Sequence, residues 1–321
     1  MPRLRAMTYN VRYFGHGTRG LASTRAGVRR IAEAIASVSP RCDVIALQEV
    51  EAHSLRSSLV TWSPEEPTSQ LAEWMRALDR ALEDRGVAER YEAHYFPAHR
   101  YEIAPGTYLY TTGLAMLVGP RLEVVSEAAS PIEDITHRRG AKALKQTRIC
   151  AHLALRVRAE HRENLEESAP GVADLDVFNT HLSLPGPLYH EFWRSRERMG
   201  HCPNQRIEAS KVIDAIRARR RSSRVLLMGD FNSLPGSPVD RELQAAGELI
   251  DGLGATRGLS VEQRSEWATA GFLHVRLAID RIYASRAVRF VDFEGSVPFE
   301  EPSPFDGLSD HVPLVARFDI A

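Results

Sequence analysis

The sequence predicts a mixed α/β (α+β) fold in which two sheets pack face to face and the helices lie outside them. Short apolar runs of strand length alternate with longer segments of helical period. The predicted strands outnumber the helices, and the helices are spread along the chain. Of the 321 residues, 43% are hydrophobic, which is enough for a sizeable core. These observations exclude a disordered chain and favour a layered globular protein.

The first part of the chain has two predicted strands and two predicted helices. A strand over 4–10 precedes a helix over 24–38, for which Thr24 is a candidate N-cap. A very apolar strand over 43–49 follows. A second helix over 69–85 carries an apolar stripe at helical spacing, which predicts a face turned to the core. The stripe consists of Leu71, Trp74, Met75, Leu78 and Leu82.

The rest of the chain is richer in strands. Four predicted strands are separated by short turns, so we expect antiparallel pairing among them. They cover residues 91–96, 112–118, 122–126 and 148–158. Further strands are predicted over 175–180, 225–228, 278–284, 288–294 and 312–318, and helices over 205–219 and 238–246. Loops over 54–68 and 184–203 adjoin polar segments and are candidates for substrate selection.

Polar side chains stand at five places where an apolar run reaches a turn. The segments are Met-Thr-Tyr-Asn at 7–10, Leu-Gln-Glu at 47–49, Asn-Thr-His at 179–181, Gly-Asp-Phe-Asn at 229–232 and Ser-Asp-His at 309–311. Proteins with α/β folds usually present their chemistry at such positions. Together these groups suggest metal-assisted phosphoester hydrolysis.

Three of these residues form a candidate metal set: Asn10, Glu49 and Asp310. Mg²⁺ prefers oxygen ligands, keeps several waters, and needs only one or two carboxylates from the protein. A carboxylate and amide set favours Mg²⁺ or Mn²⁺ over zinc. We therefore expect one or two such ions as cofactor.

The remaining groups suit activation of water and binding of phosphate. Asp230 is a candidate to orient or deprotonate the attacking water, and Asn232 to donate to a phosphoryl oxygen. His311 is a candidate phosphate donor, with Asp280 fixing its tautomer. His181 is suited to contact a non-bridging oxygen or assist the leaving group.

Each of these residues also has a structural interpretation. A glutamate at a strand end is usually a solvated cap, an asparagine there is often a turn residue, and a histidine can be a core residue. Their co-occurrence at five strand ends favours function. A basic cluster, made of Arg139, Lys142, Lys145 and Arg148, is either a solvated edge that prevents sheet aggregation or a contact for substrate phosphates.

Taken in order along the chain, these motifs resemble those of the endonuclease/exonuclease/phosphatase superfamily. The matching segments lie at residues 8–10, 47–49, 179–182, 229–232, 279–283 and 309–311. The resemblance implies a four-layer αββα sandwich, a single catalytic domain over residues 1–321, and divalent-metal-dependent phosphoester cleavage. It implies the roles already given for the site residues. Asn-Thr-His-Leu at 179–182 is similar to the branch with a Thr-His-Leu motif and argues against abasic-site repair.

The expected reaction is phosphodiester hydrolysis by an Mg²⁺-dependent nuclease acting on DNA or RNA. The alternatives are a phosphatase or phospholipase C-type enzyme on an inositol phosphate or sphingolipid head group, and a non-catalytic member that binds nucleic acid or protein. The net charge of −1 shows no global attraction to nucleic acid. Three widely spaced cysteines, no signal peptide and no apolar membrane span predict a reduced, cytoplasmic protein.

Overall fold

The computed structural model describes residues 2–14, 24–54, 70–104, 107–125, 132–137, 147–162, 173–185, 198–272 and 274–320. Most of the predicted loops over 54–68 and 184–203 lies outside these residues. The α-helices are α1 (Arg25–Ala36), α2 (Gln70–Glu83), α3 (Pro203–Arg219), α4 (Pro238–Ala245), α5 (Gly252–Arg257) and α6 (Val261–Glu266). Within the described residues, no helix is long and apolar enough to cross a membrane.

The strands are numbered in chain order. They are β1 (Arg3–Asn10), β2 (Val44–Ser54), β3 (Glu92–Ala104), β4 (Thr107–Val118), β5 (Leu122–Val124), β6 (Ile132–Asp134), β7 (Ile149–Val157), β8 (Leu175–His181), β9 (Val225–Asp230), β10 (Leu249–Asp251), β11 (Ala270–Phe272), β12 (Val275–Leu277), β13 (Asp280–Ser285), β14 (Val288–Asp292) and β15 (Leu314–Ile320).

These strands form two large mixed sheets and one small hairpin. The first sheet has the order β14-β15-β1-β2-β4-β3, and the second has the order β10-β13-β9-β8-β7-β5, with β6 paired to β7. Strands β11 and β12 form the hairpin. Each large sheet contains one parallel pair, β1 with β2 and β8 with β9, and the other pairings are antiparallel.

The sheets and helices form four layers. Apolar side chains from the facing sides of both sheets, such as Leu4, Met116, Val177 and Met228, make the central core. The outer face of the first sheet packs against α1 and α2, and the outer face of the second packs against α3 and α4. The predicted αββα sandwich is therefore confirmed.

Local signals predicted several helix details correctly. The Thr24 hydroxyl caps α1 by accepting a hydrogen bond from the Gly27 N–H at 2.9 Å. Most of the predicted stripe on α2 is buried, and its Trp74 is fully covered. The sequence therefore predicted the N-terminus of α1 and the buried face of α2, the two helices on the first sheet.

The predicted antiparallel group of four strands is divided between the two sheets. Strand β3 pairs with β4 in the first sheet, whereas β5 pairs with β7 in the second. The chain changes sheet within residues 119–121, where only a short turn separates β4 from β5. The sequence shows the turn, but it does not show that the next strand belongs to a different sheet. Prediction also missed the short elements β6, β10, β11, β12, α5 and α6.

Candidate active site

The two parallel strand pairs carry three of the predicted site residues, Asn10, His181 and Asp230, to one edge of the sandwich. Asn10 ends β1 beside Gln48 of β2, and His181 ends β8 beside Asp230 of β9. Side chains of the two sheets meet at this edge, because Asn10 Nδ2 donates to Asp230 Oδ2 at 3.1 Å. The candidate site therefore lies between the ends of the two sheets.

Glu49 is turned toward this edge by a bulge in β2. The pairing of β2 with β4 shifts register between Leu47 and Val50, and Glu49 has a φ of 55°, in the left-handed region. Bulges often redirect a side chain next to an active site. Glu49 Oε1 lies 3.9 Å from His181 Nε2.

The Gly-Asp-Phe-Asn segment places Asp230 and Asn232 through a close backbone approach. A Cβ on Gly229 would lie 2.0 Å from the Thr180 carbonyl oxygen, so only glycine fits between β8 and β9 here. Asn232 has a φ of 45°, and its N–H donates to Asp230 Oδ1 at 3.0 Å. Its side-chain Nδ2 donates to the Leu182 carbonyl at 2.9 Å, so this amide braces the loop after His181.

The hairpin of β11 and β12 fixes Asp310 and His311. Ala270 forms an isolated bridge with His311, and the Gly271 N–H donates to the Asp310 carbonyl at 2.8 Å. The Ser309 hydroxyl donates to the Asn10 carbonyl at 2.8 Å, which ties this turn to the end of β1. The C-terminal motif thereby reaches residues about 300 positions earlier in the chain.

The Asp230 carboxylate lies at the centre of the polar cluster. Its Oδ2 is 3.4 Å from His181 Nε2 and 3.8 Å from His311 Nε2. His311 Nδ1 makes a 2.9 Å hydrogen bond with Asp280 Oδ2, which directs Nε2 toward Asp230. Both aspartates and both histidines are buried. The structure thus brings together four of the five residues predicted to be catalytic around one carboxylate, and Asn232 adjoins them.

Burial and charge give Asp230 and His311 unusual protonation behaviour. Burial, reinforced by the negative charge of Asp280, raises the pKa of Asp230 to about 7. Burial alone would lower the pKa of His311, but Asp280, with Asp230 and Asp310, outweighs it and raises this pKa to about 10. His311 is therefore protonated at neutral pH, and Asp230 titrates close to neutrality.

The contributions of Asp230 and His311 to the free energy of unfolding should both fall as pH rises. Asp230 has a folded-state pKa above its ordinary value of 3.8, so the folded state holds a proton that the unfolded chain has released between about pH 4 and 7. The stabilisation from His311 is complete below its ordinary pKa of 6.5 and is lost as pH rises through about 10. Because the sign is the same in both windows, the protonation of this cluster no longer stabilises the fold at alkaline pH.

The pKa values of His181 and Glu49 are both shifted in the direction that favours the neutral form. Burial, with the positive charges of Arg148 and His311, lowers the pKa of His181 well below 6.5. Burial and the nearby Asp310 raise the pKa of Glu49, against smaller opposite effects of His311 and Arg148. The two histidines thus differ in charge at neutral pH, and only His311 is a strong cationic donor.

The residues present fit a hard divalent cation. Glu49 and Asp310 repel each other through their charges, and within the described part of the chain the buried Asp280 Oδ1 has no hydrogen-bond partner. The buried group Asp230, Asp280 and His311 also offers ligand atoms within 4.8 Å of one another. The donors are mostly carboxylate and amide oxygens, which suits Mg²⁺ or Mn²⁺.

A cleft lies beside this cluster, between the middle of β4 and the start of β7. Its lining includes Glu49, Thr112, Thr147, Arg148 and His181. Arg148 is buried, and its Nε has no hydrogen-bond partner among the described residues. Of the predicted basic cluster, only Arg148 can be placed, because Arg139, Lys142 and Lys145 lie outside the described residues. The placement of Arg148 fits the phosphate-contact interpretation better than that of an exposed edge.

Sequence reasoning missed Arg12 and underestimated Gln48 and Asn179. Arg12 Nη1 forms a 2.8 Å ion pair with Asp310 Oδ2. Gln48 Nε2 donates to Asn179 Oδ1 at 2.8 Å, and this bond joins the two sheets directly behind the site. Arg12 follows Asn10 by two residues, so its position next to a predicted site residue could have identified it from the sequence. The Gln48–Asn179 contact links residues 131 positions apart and has no local signal.

The sequence model of the endonuclease/exonuclease/phosphatase family matches residues 7–311, a range that includes every placed site residue. The chain belongs to this family. No curated protein is similar enough in sequence to count as a match. Members of the family cleave phosphoester bonds in general, so this chain is assigned to a phosphoester hydrolase family.

Solved structures support the fold. An endonuclease/exonuclease/phosphatase from Beutenbergia cavernae is 19% identical, with a TM-score of 0.62, over 100% of this chain and 72% of that one. The human Nocturnin catalytic domain is 17% identical, with a TM-score of 0.57, over 100% and 94%. A mannosyl-6-phosphatase from Bacteroides thetaiotaomicron is 14% identical, with a TM-score of 0.57, over 99% and 100%. At these identities the comparisons establish a shared fold.

Replacing Asp280 with asparagine should lower the pKa of His311. The variant removes the main charge that keeps this buried imidazole protonated, so the pKa should fall from its value of about 10. Histidine NMR titration measures this directly. Asp214→Asn, an exposed change on α3, is the control. An unchanged His311 titration in Asp280→Asn would contradict the assigned electrostatics.

Proposed function

We propose that this protein is a divalent-metal-dependent phosphodiester hydrolase that acts on nucleic acid. The observation that carries the proposal is the buried cluster in which Asp230 lies within 4 Å of both His181 and His311, with Asp280 behind His311. A base that titrates near neutrality next to a protonated donor is the pairing that hydrolysis of a phosphoester requires.

The proposed mechanism begins with water held by Asp230. Its carboxylate takes a proton from the water as the oxygen attacks phosphorus in line with the leaving oxygen. A P–O bond forms to the water oxygen, and the P–O bond to the leaving group breaks. Asn10 orients Asp230 by donating to Oδ2. His311 donates to a phosphoryl oxygen and stabilises the charge that develops there.

A divalent ion held by Glu49 and Asp310, with Asn10 nearby, would neutralise charge on the phosphoryl and leaving oxygens. Glu49 is well suited to this role, since the bulge in β2 turns it to the site. Burial and the charge of Asp310 raise its pKa, and a bound cation would relieve the repulsion between the two carboxylates. Neutral His181, which lies between Glu49 and Asp230, is placed to contact a non-bridging oxygen. In this proposal the carboxylates of Glu49 and Asp310 bind the ion, and the two histidines contact phosphoryl oxygens.

Two arginines support a polyanionic substrate. Arg148 lines the cleft beside Glu49 and His181, and Arg12 forms an ion pair with Asp310. Guanidinium groups bind phosphates with fixed, often bidentate geometry. Cations flanking the catalytic cluster suit a substrate whose neighbouring phosphates extend past the one that is cleaved. This arrangement favours nucleic acid over a head group with a single phosphate.

A substrate panel tests the proposal. Plasmid DNA, single-stranded DNA, poly(A) RNA, sphingomyelin and inositol phosphates would each be incubated with Mg²⁺, Mn²⁺ or chelator. We expect chelator-sensitive cleavage of at least one nucleic acid. Release of a head group without nucleic-acid cleavage would instead support the phosphatase or phospholipase C alternative. Saturable binding with no cleavage under any condition would support a non-catalytic role.

Replacing Arg148 with methionine should weaken substrate binding more than it slows the chemical step. We expect KM to rise about tenfold, and the slope of log affinity against log salt to fall by about one, because one phosphate contact is lost. Arg148→Lys keeps the positive charge but loses the planar guanidinium with its two parallel donors. Its KM should therefore lie between those of the wild type and the methionine variant. An unchanged salt slope in the methionine variant would remove Arg148 from the substrate site.

A further inference from the structure

Gln205, in the first turn of α3, connects the two loops that leave the catalytic strands. Its side chain is fully buried. Its Nε2 donates to the Ser183 carbonyl at 2.9 Å and to the Asn232 carbonyl at 2.6 Å. Its Oε1 accepts a hydrogen bond from the Gly200 N–H at 2.9 Å. Both amide hydrogens and the amide oxygen of Gln205 therefore take part in hydrogen bonds.

The atoms that Gln205 binds lie directly beyond catalytic residues. Ser183 follows His181 by two positions, and Asn232 follows Asp230 by two. The same loops bind each other, since the Leu182 N–H donates to the Asp230 carbonyl at 2.9 Å and Asn232 Nδ2 donates to the Leu182 carbonyl. Gln205 thus joins both of these loops to the helix layer.

Glu208 adds a second contact to the same loop. It is also fully buried and lies one turn further along α3. One carboxylate oxygen accepts the Ser183 N–H at 2.8 Å, and the other accepts the Ser183 hydroxyl at 2.7 Å. Residues three apart on a helix share a face, so Gln205 and Glu208 act on the loops together.

The rest of this helix face is apolar, as the buried Ala209, Val212, Ile213 and Ile216 show. Polar groups buried at the start of such a face cost free energy unless each finds a partner. Their partners belong almost entirely to the two catalytic loops. Helix packing alone would be served better by apolar residues at both positions.

We propose that Gln205 and Glu208 are positioning residues that set the spacing between the His181 loop and the Asp230–Asn232 loop. This inference rests on the proposed hydrolase function. Neither side chain contacts the catalytic cluster directly. They act through Ser183 and Asn232, so that His181 and Asp230 are held at the separation that phosphate binding and water activation require.

Gln205→Glu tests the proposal with an isosteric change. A carboxylate cannot donate to the Ser183 and Asn232 carbonyls, so the two loops should separate. Misplacement of catalytic groups by about 1 Å can cost about 10²-fold in rate, and we expect a loss of that order in kcat with little change in KM. A merely structural role would lower the amount of folded enzyme and leave the kcat of the folded fraction unchanged.

Glu208 offers a rescue pair. In Glu208→Gln the amide oxygen can still accept the Ser183 N–H, and the amide nitrogen can donate to the Ser183 hydroxyl, so kcat should stay near the wild-type value. Glu208→Ala removes both contacts and should lose kcat. Asp214→Asn, an exposed change on the same helix, controls for loss of one negative charge. Equal kcat in Glu208→Ala, Gln205→Glu and the wild type would overturn the proposal.

Hydrogen exchange provides a test that needs no turnover. In Gln205→Glu, we expect faster exchange at the amides of Leu182, Ser183 and Asn232, while amides in α1 and α2 keep wild-type rates. If the wild-type protein cleaves nothing in the substrate panel, the hydrolase proposal fails. The exchange experiment still tests whether Gln205 holds the two loops together, and unchanged exchange at those three amides would overturn that role.

Discussion

Replacing Asp230 with asparagine should reduce kcat by about 10²–10⁴-fold, the usual contribution of a positioned general base. The amide cannot take a proton from water, but it has nearly the same shape. Its oxygen can still accept the Asn232 N–H that Asp230 Oδ1 accepts at 3.0 Å. The measurement is kcat under saturating Mg²⁺ on whichever substrate the panel identifies.

The Asp230→Asn variant should also change how stability depends on pH. The wild-type carboxylate, with its pKa of about 7, makes the metal-free protein less stable as pH rises from about 4 to 7. This slope should become shallower in the variant, as followed by thermal unfolding at several pH values. Asp214→Asn should leave both kcat and slope at wild-type values. Full activity in Asp230→Asn would exclude Asp230 as the base.

Replacing Glu49 with glutamine should remove most of the metal-supported activity while the fold stays intact. The variant keeps the size of the side chain and removes one of the two carboxylates assigned to the ion. For an ion at 100 times its Kd, wild-type stabilisation is about 2.7 kcal/mol. We expect this metal-dependent rise in stability to be largely lost, together with a large fall in turnover at the same Mg²⁺ concentration.

The control for this second prediction is Glu92→Gln, which neutralises an exposed carboxylate on β3 of the same sheet. It should keep both activity and the stabilisation by Mg²⁺. Calorimetric titration with Mn²⁺ would measure the affinity for the ion without any substrate. A wild-type Mn²⁺ affinity in Glu49→Gln would show that the ion is held elsewhere.

The candidate site residues have a local signal in the sequence, whereas the order of the strands has none. Asn10, Glu49, His181 and Asp230 each stand at the end of an apolar run, and Asp310 stands just before one. Family resemblance supplied the four-layer order. Residue patterns cannot show that β1 pairs with β15, because the contact joins residues separated by most of the chain. The same limitation explains why β4 and β5 were grouped together although they lie in different sheets.

Backbone geometry accounts for the rest of what the sequence did not reveal. Glu49 has a left-handed backbone angle, which its residue type does not predict, and Asn232 has one as well, although asparagine adopts such angles more readily. The side-chain amide of Asn232 binds the Leu182 carbonyl, a role that depends on where the neighbouring loop lies. Arg148 could equally have been an exposed edge residue, and its burial beside His181 is known only from the structure.

The most direct test of the central claim is whether purified protein, stripped of metal by chelator, regains phosphodiester cleavage when Mg²⁺ is restored. A small diester such as bis(p-nitrophenyl) phosphate and a nucleic acid would be used side by side, with Asp230→Asn and Glu49→Gln as matched variants. We predict that Mg²⁺ restores cleavage in the wild type and fails to do so in either variant. Cleavage that persists in chelator, or that both variants retain, would contradict a metal-dependent hydrolytic site built on these two carboxylates.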